Sequence, residues 1–127
     1  MILSMKPTLK NKEIFIKKKL STDKVWATKA LVRIYTENQT QDEQTKDATI
    51  EDNGVGFVGI EAQFLSSLAK QYIQKGFLTE NQMVHVFKKI QKYWRQVMLM
   101  SDENKLNQMV EKAWFFKINI HTLSYEN

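Results

Sequence analysis

Apolar residues recur at helical spacing along most of this chain, and each run starts or stops at a recognisable signal. The clearest run spans residues 79–100. Met83, Val86, Phe87, Ile90, Trp94 and Val97 form a stripe at three- and four-residue intervals. Thr79 and Gln82 have the capping-box spacing, and Leu78 stands where it can staple to Met83. The preceding run, Ile60, Phe64, Leu65, Leu68, Ala69, Tyr72 and Ile73, predicts a helix from Ile60 to about Lys75. Gly76 follows it, where a left-handed residue is wanted. Together residues 60–100 predict a helical hairpin joined by the tight KGFLT turn.

Weaker patterns flank this hairpin. Ser21 or Thr22 predicts an N-cap, with Asp23 in the first turn, for a helix over 22–38 whose apolar face is Val25, Ala27, Leu31, Ile34 and Tyr35. Upstream, the Ile14/Ile16 alternation fits a strand and the Lys17–Lys19 run fits a solvated helix end. The reading is a short helix from about Asn11 after a leader, residues 1–10, without regular structure. Ser101 predicts the cap of a last helix over 102–115, with Leu106, Met109, Val110, Ala113 and Trp114 inward. Thr40 and Glu43 also have capping-box spacing, but no apolar run comes after them, so one or two turns are expected there. Asn53-Gly54 signals a tight turn, which predicts a small β element over 49–58, with the C-terminal tail as a second strand candidate. The expected fold is a single mainly α domain over residues 1–127.

Composition narrows the chemistry. The chain has no cysteine, so disulfides, zinc-thiolate sites and a cysteine nucleophile are excluded. No apolar run approaches a membrane span, and the apolar stretch near Met1 is too short for a signal peptide. The expected location is a cytoplasm, the host's if the protein is phage-encoded, with no membrane partner. The net charge of +5 is unevenly spread. Residues 1–33 carry nine Lys and Arg against two Asp and Glu, and residues 34–63 carry one against seven. Residues 64–127 again carry an excess, nine against five. Basic ends therefore flank an acidic middle, which suits nucleic acid or an acidic partner at the ends only.

Gly54, Gly56 and Gly59 spell G-x-G-x-x-G, the fingerprint of a dinucleotide site. That site needs a buried strand before the glycines and a βαβ unit around them. The preceding residues, KDATIED, are polar and acidic, and Asp47, Glu51, Asp52 and Glu61 would set anions beside a pyrophosphate. The glycines instead predict a turn and a close approach of backbone to a helix. His85 and His121 have no second ligand at metal-binding spacing. The adjacent pairs Asp42-Glu43 and Glu51-Asp52 lack calcium-loop spacing, and no nucleophile has an activating base. The expectation is a protein without enzymatic activity, metal or cofactor.

The sharper feature is VFKKIQKYWRQ. Lys88, Lys92 and Arg95 fall at i, i+4 and i+7 and so line one helix face, with Lys89, Tyr93 and Gln96 beside them. Cations next to an aromatic ring suit a sugar-phosphate backbone with a stacked base. Lys17, Lys18, Lys19 and Lys24 make a second basic cluster, which joins the first only if the two helices pack side by side.

The order of these signals resembles a module found in phage and mobile-element proteins and in segments attached to DNA helicases. Its pattern, N-G-x-G-F, an acid, S-L-A-x-Q, L-T-x-x-Q and K-Y-x-x-Q-L, falls here on Asn53, Gly54, Gly56, Phe57, Glu61, Ser67, Leu68, Ala69, Gln71, Leu78, Thr79, Gln82, Lys92, Tyr93 and Gln96. Glu61 replaces the expected aspartate and Val97 the expected leucine. The likeness covers about residues 21–100 and leaves the extension past Met100 without a counterpart. It implies a role in nucleic-acid transactions, with Lys92, Tyr93 and Gln96 as a contact surface. The favoured expectation is binding of nucleic acid, or of a nucleic-acid-handling complex, through Lys88, Lys89, Lys92, Tyr93, Arg95 and Gln96. The alternative is an inhibitor of a host nuclease or defence complex that uses the acidic segment 37–52, with Asp42, Glu43, Glu51 and Asp52, as a nucleic-acid mimic.

Overall fold

In the computed structural model the structure describes residues 7–38 and 56–113, and these form a mainly α protein. Helix α1 spans Leu9–Thr22 and starts two residues before the expected Asn11, because Thr8 accepts a hydrogen bond from the Asn11 N–H at 3.1 Å. Lys10 of the expected leader is therefore helical. Helix α1 continues to Thr22, so Ser21 and Thr22 cannot cap the next helix; their hydroxyls donate to the Lys18 carbonyl at 3.1 and 2.6 Å. Asp23 alone separates the two helices and caps α2, Lys24–Arg33, by accepting from the Val25 and Trp26 N–H groups. A π-helical turn, Ile34–Asn38, extends α2 to the expected limit.

Residues 56–58 have no regular structure, so this end of the expected β element is not strand. Residues 49–55 with the Asn53-Gly54 turn, the Thr40–Glu43 turn and the tail lie outside the described residues. Helix α3 is Glu61–Lys75, ended by Gly76 at φ +81° with its N–H on the Tyr72 carbonyl. Helix α4, Glu80–Ile90, opens on the complete capping box of Thr79 and Gln82. The predicted second arm is then interrupted. Gln91–Tyr93 form a 3-10 turn before α5, Trp94–Met100. A 3-10 turn advances about 120° per residue against about 100° in an α-helix. The interruption rotates α5 about the helix axis and brings Tyr93 into the core. Helix α6, residues 103–113, is capped by Asp102, which accepts from the Lys105 N–H. Ser101, the expected cap, donates back to the Val97 carbonyl at 2.7 Å.

Helix α1 packs on α2, α4, the 3-10 turn and α5, and α2 packs on α3 and α4. Ile16, Leu20, Leu31, Ile34, Phe57, Leu65, Val86, Ile90 and Leu106 are fully or almost fully enclosed in one core. Burying one such side chain is worth about 1.5–3 kcal/mol. The packed faces of α2 and α3 include small residues, Ala27 and Ala30 on one and Ala62, Ser66 and Ala69 on the other. Of the sequence stripe of α3, Leu65, Leu68 and Ala69 are buried and Tyr72 packs on the core, whereas Ile60, Phe64 and Ile73 are exposed, Ile60 at 97%. Val25 of α2 and Met109 of α6 are exposed as well, whereas Val110 is buried.

Candidate nucleic-acid interface

The residues expected to make a contact surface mostly face each other. Tyr93 is 3% exposed. Its hydroxyl donates to Glu61 Oε2 at 3.0 Å and accepts from the Val58 N–H at 3.2 Å. Its ring meets Phe57 edge to face at 5.5 Å between centroids. Burial pushes the phenol well above its ordinary pKa; the Val58 N–H opposes this and the Glu61 carboxylate reinforces it. Tyr93 is thus a neutral internal donor, and the expectation that it stacks a base is corrected. Gln96 is half-buried and clamps Gly56 from both sides. Its Oε1 accepts from the Gly56 N–H at 2.9 Å, and its Nε2 donates to the Gly56 carbonyl at 3.0 Å.

Glu61 collects the lysines. Lys92 Nζ lies 2.8 Å from Glu61 Oε2 and Lys89 Nζ lies 3.7 Å from Oε1. Lys89 also stands over the Phe64 ring at 5.9 Å, and Phe64 meets the exposed His85 edge to face. Further toward the interhelical turn, Gln71 and Gln82 exchange two amide hydrogen bonds at 2.8 and 3.0 Å. Gln82 Oε1 accepts from the Thr79 N–H in the same cluster. Glu61–Lys89, Phe64–His85 and Gln71–Gln82 are successive rungs between antiparallel α3 and α4. Nine positions of the quoted pattern therefore fall into two contact clusters, Gly56, Phe57, Glu61, Lys92, Tyr93 and Gln96 in one and Gln71, Thr79 and Gln82 in the other.

The expected single basic face is divided. Lys92 turns to α3, where it pairs with Glu61, while the Arg95 guanidinium lies over the Trp94 ring at 5.0 Å. Lys17 holds the Glu13 carboxyl below its ordinary pKa by a hydrogen bond; burial opposes this, and the charges of Lys10, Lys17 and Arg95 add to it. The Lys17–Glu13 distance is 2.8 Å and Lys10–Glu13 is 3.9 Å. Helices α1 and α5 pack side by side, so the two basic clusters of the sequence are carried by neighbouring helices. The sequence reading missed Lys10 and Glu13, which pair with each other along α1, where Glu13 also pairs with Lys17. Lys88 and Lys18 are exposed. Lys19 pairs with Asp23 at 3.7 Å and covers the Phe15 ring. Lys24 borders a hollow of about 140 Å³ with Val25, Thr28, Tyr72, Phe77, Leu78 and Met83. That volume is below the range of about 300–1,000 Å³ that holds a cofactor or drug-sized ligand.

Of the acidic segment, Glu37 is described, and it pairs with Arg33 through two hydrogen bonds at 2.8 and 3.2 Å. Asp42, Glu43, Glu51 and Asp52 lie outside the described residues. No helix among the described residues is long and apolar enough to cross a membrane. Comparison of the chain with protein-family models, with curated proteins and with solved structures gave no match.

Proposed function

We propose that this chain is a non-enzymatic cytoplasmic protein that binds nucleic acid, or a nucleoprotein machine, through a basic surface where α1 meets α5. The observation that supports this reading is the side-by-side packing of α1, which carries Lys10, Lys17 and Lys18, and α5, which carries Arg95. On α1, Lys10 and Lys17 flank the single carboxylate of Glu13 and leave a local positive excess. Lys17 is 41% exposed and Lys10 73%, so phosphate oxygens have access to both. Arg95 on α5 and Lys88 on α4 are exposed as well. Lys89 and Lys92 are likewise paired, with Glu61, and Lys92 stays 53% exposed. The resemblance to phage and mobile-element modules agrees with this role.

The test is fluorescence anisotropy with DNA and RNA at low and moderate salt. Binding weakens with salt, as phosphate contacts require, and the double variant Lys17→Glu/Arg95→Glu loses two contacts and lowers the log–log salt slope by about 2. Absent or salt-insensitive binding to every nucleic acid sinks the reading.

A further inference from the structure

Resting on the proposed binding of nucleic acid, we infer that Glu61 is an intramolecular competitor of phosphate that withholds Lys89 and Lys92 in the free protein. Glu61 is the fixed member of this cluster. It is the first residue of α3, where the helix dipole favours a negative charge. Its side chain is 10% exposed, and the buried Tyr93 hydroxyl donates to its Oε2 at 3.0 Å. Tyr93 is held in turn by the Val58 N–H and the Phe57 ring. The lysines are the movable members. Lys92 Nζ reaches the same Oε2 at 2.8 Å, and Lys89 Nζ lies 3.7 Å from Oε1. Lys89 also stands over the exposed Phe64 ring at 5.9 Å, a second attraction at the same place. A phosphate can take either lysine only by drawing it off a nearly buried carboxylate. An ion pair with both members in water is worth little and yields readily. Taking a cation from a buried anion instead leaves that charge uncompensated. Glu61 therefore reduces what Lys89 and Lys92 give to a sugar-phosphate contact, and neutralising it frees two cations at one place.

Fluorescence anisotropy of the full chain with a labelled DNA duplex, a DNA single strand and an RNA strand tests this. Glu61→Gln keeps an acceptor for the Tyr93 hydroxyl and removes the charge. Glu80→Gln, at the exposed start of α4, removes the same charge elsewhere and sets the effect of net charge alone. At low salt Glu61→Gln binds several-fold more tightly than Glu80→Gln, and its log–log salt slope is steeper by about 2. Adding Lys89→Gln and Lys92→Gln to Glu61→Gln removes both gains. Thermal unfolding of each variant checks that folded proteins are being compared. Should Glu61→Gln not fold, the parent carries the test: Lys89→Gln/Lys92→Gln leaves its salt slope unchanged, and a fall of about 2 overturns the inference. Equal binding by Glu61→Gln and Glu80→Gln, or a gain that survives the loss of both lysines, overturns it too and leaves the proposed function standing. Absence of salt-dependent binding by the parent and by Glu61→Gln removes the proposed function and this inference with it.

Discussion

Gln96 grips Gly56 by both of its peptide groups, 40 residues away in sequence. The amide of Gln96 reproduces the pairing that a neighbouring β-strand would offer. It therefore satisfies a buried N–H and carbonyl in a segment that has no sheet. Gly56 holds φ +80°, a conformation open to glycine and strained for other residues. The clamp, together with the Tyr93 hydroxyl on the next free N–H at Val58, positions the chain before α3 begins.

Replacing Gln96 with leucine leaves both Gly56 groups without partners. Each unsatisfied buried group costs about 1–3 kcal/mol, so Gln96→Leu destabilises the protein by about 2–6 kcal/mol. Urea denaturation measures this loss. Gln63→Ala, on the exposed side of α3, stays within about 0.5 kcal/mol of the parent. Equal stability of the two variants would show that the clamp contributes nothing.

Tyr93 makes stability depend on alkaline pH. Burial first, then the Glu61 carboxylate, raises its folded-state pKa above the unfolded value of about 10. Below that value both states hold the phenol proton and the contribution is complete. As pH rises past it, the unfolded chain releases the proton while the folded chain retains it, and folding is progressively disfavoured. The parent protein therefore loses more stability between pH 8 and pH 11 than Tyr93→Phe does. Tyr93→Phe also forfeits two hydrogen bonds, costing about 1–3 kcal/mol at neutral pH. Denaturant melts of both proteins across that pH interval check the two effects together; parallel curves contradict the assignment.

The hairpin and its caps were legible because they depend on neighbours in sequence. Thr79 and Gln82 are three residues apart, and Gly76 immediately follows the last turn of α3. The 3-10 turn at Gln91–Tyr93 was not legible, since the apolar spacing of Ile90, Trp94 and Val97 fits an unbroken helix equally well. That one interruption divides the basic stripe: Lys92 pairs with Glu61 and Arg95 lies over Trp94. The basic stripe looked continuous because its spacing was counted on an ideal helix. The pattern residues looked like a contact surface for a related reason. Gln71, Gln82, Tyr93 and Gln96 are polar, and their partners lie 11 to 40 residues away. The G-x-G-x-x-G spelling has the same structural meaning at Gly56 and Gly59, both at positive φ ahead of α3.

Ser66 is fully buried in α3 and, among the described residues, its hydroxyl has no hydrogen-bond partner. A buried polar group without a partner carries a desolvation penalty that no bond offsets. Ser66→Ala removes the hydroxyl and leaves a methyl group in nearly the same space. The variant gains about 1 kcal/mol, seen as a higher midpoint in thermal or urea unfolding. Ser66→Val goes the other way, because the added methyl groups overfill the buried site and cost about 1–3 kcal/mol. A destabilised Ser66→Ala variant would mean that the hydroxyl is satisfied in solution.

Gly76 separates backbone strain from crowding. It holds φ +81° at the end of α3, and a Cβ added there meets nothing within 4 Å. Gly76→Ala therefore carries the left-handed penalty alone, about 1–2 kcal/mol. Asparagine tolerates that conformation better, so Gly76→Asn costs less than Gly76→Ala. The same two substitutions at Gly56 act on a buried residue inside the Gln96 clamp and cost more at each step. Four denaturation curves decide the matter. If Gly76→Ala is as damaging as Gly56→Ala, the hairpin turn is crowded rather than strained, and the open geometry at Gly76 is wrong.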